Sequence, residues 1–176
     1  MRRRHLVPVI LLALAAGLFA GCGNDDAAAE RTAEEILEAG SGEDVDVDVD
    51  GEDVTIEGKD GSSSFSTSDE LPEGWPDDIA MPDGAKLQGS SAIAAGEGRN
   101  LTTSGTVDLS VRDVVTHFEG EFEEWKTEGT ADIGTGDDAV SNRSWSRDGD
   151  QATLTATRSG DSGDVTFVVA ITTETE

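Results

Sequence analysis

The sequence predicts an α+β protein in two pieces. The first is a short helix with a three-stranded β-meander. The second is an antiparallel β-sheet of about five strands covered by one amphipathic helix, in the order β-β-α-β-β-β. Three observations lead there. Val45, Val47 and Val49 alternate with Asp44, Asp46, Asp48 and Asp50, and a period of two means a strand. Val111, Val114, Val115, Phe118, Phe122 and Trp125 fall within a stripe about 100° wide at helical spacing. Val165, Phe167, Val169 and Ile171 take one face of a last strand, with Val168 and Ala170 on the other, as in a central strand partly buried on both sides.

Residues 1–21 come first and are not part of that fold. Arg2, Arg3 and Arg4 precede an apolar stretch of 15 residues from Leu6 to Ala20. A spanning helix needs about 20 apolar residues, so the stretch reads as a secretory signal instead. It ends Leu18-Phe19-Ala20-Gly21-Cys22, and Cys22 is the only cysteine. That run resembles the lipobox of bacterial lipoproteins, with Phe19 where the family usually has Leu. The resemblance covers about the first 26 residues. It implies cleavage before Cys22 and a diacylglyceryl thioether on its sulfur, often with an amide-linked third chain. One acyl chain holds a protein marginally and two hold it stably. The implied location is the extracytoplasmic face of a cell membrane.

The whole chain carries a formal charge of −26. Removing residues 1–21 takes away three arginines and no acid, leaving nine basic residues against 38 acidic, a charge of −29. Such a surface repels nucleic acid and anionic headgroups. The lipid then does the anchoring, and the acidic body stands off the membrane. Cations, basic proteins and neutral polymers remain as partners, although solubility alone also explains the charge. With Cys22 committed, no disulfide can form, and packing must supply the stability.

The elements follow in order. Residues 22–28 form a lipidated tether. Residues 29–67 form the first unit, where Ala33, Ile36 and Leu37 share one side of a short helix ending near Gly40. Gly51-Glu52 suits a hairpin turn that sets Val49 opposite Val54 and Val47 opposite Ile56. Asp60-Gly61 suits a second turn that sets Ile56 opposite Phe65. The helix is expected to cover the apolar face so made. Residues 68–84 read as a Pro/Gly linker, with Leu71-Pro72-Glu73-Gly74-Trp75-Pro76 and the turn Pro82-Asp83-Gly84. Residues 85–176 are the α+β domain. Strands near 86–94 and 99–108 join through Gly96-Glu97-Gly98, and Ser110 caps the helix with Asp113 three positions on. Strands near 140–147, 151–158 and 164–173 follow, the first pair turning at Asp148-Gly149. This arrangement also looks like that of small uncharacterised envelope lipoproteins with a Pro-Gly-Trp linker before an α+β domain.

Few residues carry chemistry. Asp46, Asp48, Asp50, Gly51 and Glu57 satisfy the spacing of an EF-hand calcium loop. Position eight of that loop should be apolar and is Asp53, and no helices flank it. The valines ask for a strand, which leaves a ladder of carboxylates able to meet calcium only weakly. Gly160-Asp161-Ser162-Gly163 resembles the nucleophile loop of trypsin-like proteases. A serine nucleophile needs an oriented base, whereas the mature chain has one histidine, His117, away from the apolar stripe of its helix. A polar turn is the stronger reading. His117 alone makes no usual zinc site. Asp137, Asp138, Glu119, Glu121, Glu123 and Glu124 read as solvated carboxylates. Asn100-Leu101-Thr102 and Asn142-Arg143-Ser144 match glycosylation acceptors but carry no weight in a bacterial setting.

The function expected is a lipid-anchored, non-enzymatic binding or accessory protein of the bacterial envelope. Its expected partners are the membrane, through Cys22, and an envelope protein. The alternative is a calcium-responsive envelope protein that uses the ladder from Asp46 to Glu57.

Overall fold

Alternation of apolar and polar residues dominates the chain, and strands dominate the structure. A computed structural model describes residues 45–50, 53–59, 61–95, 98–134, 139–158 and 163–174. The expected signal, Cys22, the tether and the helix around Ala33 to Leu37 lie outside the described residues. Five strands come first: β1 (Val45–Asp50), β2 (Asp53–Gly58), β3 (Gly61–Ser66), β4 (Lys86–Ala95) and β5 (Gly98–Val107). The helix α1 (Val111–Glu121) follows. Four more strands complete the chain: β6 (Lys126–Ile133), β7 (Ala139–Arg147), β8 (Asp150–Arg158) and β9 (Val165–Glu174). All nine form one antiparallel sheet in the order β1-β2-β3-β4-β5-β9-β8-β7-β6.

This corrects the expected fold class. The described residues are 63% strand and 9% helix, so the described part is mostly β and not a balanced α+β. The three-stranded meander is not a sheet of its own, because β3 pairs with β4 from Gly61–Ala95 to Ser66–Ser90. The strands that meet there are serine- and alanine-rich, and their backbones pair without an apolar pattern to announce it. The second half holds one strand more than expected. Residues 126–133, β6, are exposed at almost every position. An edge strand wet on both faces leaves no periodic signal, and β6 exists because β7 offers it a ladder.

Local chemistry explains the remaining elements. Ser110 caps α1 by accepting the Asp113 N–H at 3.1 Å, and Asp113 accepts the Ser110 hydroxyl at 2.7 Å. The helix stops at Glu121, earlier than its apolar stripe, yet Phe122 and Trp125 continue into the core through the following turn. Arg147 pairs with Asp150 across Asp148 (φ 54°) and Gly149 (φ 102°). Two left-handed residues make a turn that matches the twist of the strands. In the meander, Val49 faces Val54 and Val47 faces Ile56 as the first turn requires. The second turn falls elsewhere: Gly58 pairs with Gly61, so Phe65 faces Val54, not Ile56. The shift is by two residues, which preserves the face.

The core lies between α1 and β5, β9, β8 and β7. Leu101, Val107, Val165, Phe167, Val169, Ile171, Leu154 and Trp145 rise from the sheet to meet Val114, Val115, Phe118 and Phe122. Phe122 stacks on Trp145 at 4.6 Å between ring centres. Trp75 and Ile79, from the segment between β3 and β4, join this core. The Trp75 indole donates to the Ile79 carbonyl at 2.9 Å, closing that segment into a compact cover. Ladder pairing puts Val47, Val54, Ile56 and Phe65 on the opposite face of the sheet, where Val47 and Val54 form a second apolar cluster.

Two glycines test the packing in opposite directions. A Cβ on Gly105 would stand 2.8 Å from the Lys86 carbonyl oxygen and 2.8 Å from Phe167, while one on Gly120 would meet nothing within 4 Å. Gly105→Ala is expected to destabilise by ~1–3 kcal/mol through overpacking. Gly120→Ala is expected to stabilise by up to ~1 kcal/mol, since helical alanine loses less entropy. Urea midpoints that move the same way for both would contradict the packing described.

Candidate functional site

A concavity among the described residues follows from the path of the chain. From the end of β5 the chain must reach β6 at the far edge of the sheet, and α1 crosses over β9, β8 and β7 on the way. It stops short of β6. A groove of about 660 Å³ opens between the flank of α1 and β6, with β7 as its floor. Pockets of this size hold small molecules. Val111, Val115 and Ala139 give it an apolar strip, and Ser110, Thr116 and Ser141 add hydroxyls.

Three arginines line the groove against two carboxylates: Arg112, Arg143 and Arg158, with Glu119 and Asp132. Arg143 lies on the floor, its side chain only 11% exposed. Its Nε donates to Glu119 at 2.9 Å, and its Nη1 donates to Asp132 at 2.9 Å and to the Asn142 carbonyl at 3.0 Å. Asp132 also accepts a short hydrogen bond from Ser141. The bond from Arg143, then that from Ser141, holds the Asp132 carboxyl below the usual carboxylate range. Asp132, with Glu119 behind it, in turn pushes the Arg143 guanidinium further up. This ion network pins α1 to the floor and to the edge strand.

Arg158 closes one end. Its Nη2 donates to the carbonyls of Leu109 at 2.8 Å and Gly163 at 2.7 Å. Its Nε is buried with no hydrogen-bond partner. Among the described residues, neither Arg158 nor Arg112 has a carboxylate within ion-pair distance.

The other expected site residues lie apart from this groove. Asp46 pairs with Glu57, Asp48 with Thr55 and Asp50 with Asp53. These carboxylates do share one face, and a shallow depression is lined by Asp46, Asp48, Thr55 and Glu57. They stand as rungs of a strand ladder, not as a loop closing on a cation. Among the described residues no three His, Cys, Asp or Glu side chains converge to hold a metal. Gly160, Asp161, Ser162, Asp137 and Asp138 lie outside the described residues. His117 sits beside the cover segment. Its Nε2 is 2.9 Å from the Ala80 carbonyl, while the Ala80 N–H donates to Glu121 at 2.7 Å. Both bonds fasten α1 to the loop that carries Ile79.

Sequence reasoning passed over Arg112, Arg143 and Arg158. One signal is present: basic residues are few beside 38 acidic ones, and Arg143 stands in a strand whose neighbours alternate toward the core. The pairing of β6 with β7, which brings Asp132 opposite Ser141, has no counterpart in the pattern.

The network sets a pH dependence. A carboxyl lowered in the folded state contributes stability that is present above its unfolded value and lost as the pH falls through its folded one. Wild type is therefore expected to exceed Asp132→Asn in stability at neutral pH, with the gap closing below about pH 4. Both groups are reached by water, so salt narrows the gap as well. Urea titrations across the acid range measure it, and a gap that stays constant would mean that Asp132 and Arg143 contribute no net electrostatic stability.

No protein-family model matches the chain, and no curated protein or solved structure matches it either, so the meaning of the groove has to be drawn from its own residues.

Proposed function

We propose that this is a lipid-anchored, non-enzymatic binding or accessory protein of the bacterial envelope, held on the extracytoplasmic face of the membrane by lipid on Cys22. The groove between α1 and β6 is where it takes its ligand. The observation that carries the binding part is that groove. Its lining belongs to a helix and three strands, so its shape is preformed, and preformed sites lose less entropy on binding. It joins an apolar strip to convergent polar side chains, as ligand sites do. The described histidine, His117, is engaged with the Ala80 carbonyl and does not line the groove, which favours holding a ligand over activating a nucleophile.

The anchoring part is supported by the basic start, the apolar run and the small residues before Cys22. Among the described residues no helix is long and apolar enough to cross a membrane.

Two measurements test the reading. Cells fed a clickable palmitate analogue should label the wild-type chain and not Cys22→Ala, and the variant should leave the membrane fraction. Label on the variant, or membrane retention without label, would remove the anchor. Crosslinking in intact cells should then enrich a ligand or partner in wild type over a variant with the groove filled by Thr116→Trp. A specific catalytic turnover abolished by one groove substitution would replace binding with catalysis.

A further inference from the structure

We propose that the groove recognises an oxyanion, the carboxylate or phosphate group of a small ligand, through Arg158 and Arg112. This rests on the reading of the groove as a binding site and names the chemistry of what it takes.

Charge makes the arrangement unusual. The chain holds 12 basic residues against 38 acidic, yet three of its arginines meet in one concavity. Arg143 is already matched by Glu119 and Asp132 and acts as floor. Arg158 and Arg112 have no such match among the described residues. Among the described residues these two arginines have no carboxylate partner, and that marks a place where an anion is expected from outside.

Arg158 is the better placed of the two. Its contacts are backbone carbonyls, which orient the guanidinium without neutralising it. Its Nε is buried without an acceptor, and leaving a buried charged donor unmatched is costly. With Nη2 spent on the two carbonyls, the guanidinium keeps its charge and its Nη1 hydrogens for an oxygen of a carboxylate or phosphate. Arg112 stands at the exposed rim and adds a second positive charge. The first turn of α1, where the helix dipole favours negative charge, borders the same end through Ser110 and Val111. Val115 and Ala139 leave room for an uncharged body beside the anionic head.

Inorganic phosphate and acetate are the probes for the head group. The full chain, lipidated and held in detergent micelles, is titrated with each while the arginine Nε–H signals are followed by NMR. Phosphate is expected to move the Arg158 and Arg112 signals saturably and to leave that of Arg147, which lies over Trp125. Arg112→Gln should weaken binding several-fold. Arg158→Gln should weaken it at least tenfold. Arg158→Lys keeps the charge and loses the flat guanidinium that the two carbonyls orient, so it should fall between, and it serves if the glutamine variant does not fold. Binding unchanged in Arg112→Gln and Arg158→Lys would overturn the proposal. A panel of uncharged fragments is mapped in parallel. Uncharged fragments filling the groove with no phosphate or acetate effect would overturn the oxyanion and leave the binding site standing. A groove that takes neither would remove both. Equal response to free phosphate and to phosphate on a soluble polymer would show recognition of the group whatever carries it, while response to the free ion alone would confine the ligand to a small molecule.

Discussion

The pairing of β5 with β9 is the constraint on which the rest of the structure depends. Ten residue pairs, from Gly98–Glu174 to Val107–Val165, join a strand near the middle of the chain to its last strand. The ladder welds a meander running outward through β5 to one returning through β9. It also fixes which residues look toward α1, because a slip of one residue would turn every side chain over. Leu101, Thr103, Gly105 and Val107 lie beside Ile171, Val169, Phe167 and Val165. Gly105 is there because Phe167 occupies the space where its Cβ would be. Once β5 and β9 are neighbours, β6 must be the far edge, and the chain between β5 and β6 must cross the sheet. The helix that makes this crossing is both the lid of the core and the wall of the groove.

The sheet divides its apolar surface between two faces. Over β5, β9, β8 and β7 the apolar residues meet α1 and the cover segment. Over β1 and β2 they point the other way, as Val47 and Val54 do. Alternation forces the consequence: Asp46, Asp48 and Glu57 come up on the α1 side, where no helix covers them among the described residues. Like charges across a ladder repel. Burying them would cost far more than their solvation, so that half of the face stays polar. The same register therefore explains why the acidic ladder is regular in sequence and open in structure.

What could be read in the sequence was whatever repeats. The stripe from Val111 to Trp125 and the alternation from Val165 to Ile171 are buried as their spacing requires. Ser110 and the Asp148-Gly149 turn act through local chemistry, and local chemistry is legible. Three things were not. β6 has no apolar face, so only its pairing with β7 makes it a strand. The segment from Ser68 to Gly84 reads as a linker by its prolines, with Trp75 expected to pack on a domain edge; Trp75 does pack, but Ile79 joins it in the core, a long-range contact that composition does not encode. Phe65 slid by two positions because Gly58 and Gly61, not Gly61 alone, set the second turn. Of the groove, the arginines were visible only as scattered charges on three separate elements.

That scatter bears on how an acidic protein can meet an anion at all. At distances beyond about 8 Å in physiological salt, fixed charges are largely screened. A small anion entering the groove feels mainly the arginines there, while the net charge of −26 is spread over the rest of the surface. A long polyanion cannot take advantage of this, because segments outside the groove still pass close to surface carboxylates. The acidic body then acts as a filter and the arginines as a receptor. Arg143 contributes to that division: by pairing with Glu119 and Asp132 it offsets one of their two charges, and with Arg112 and Arg158 the described lining of the groove is net positive.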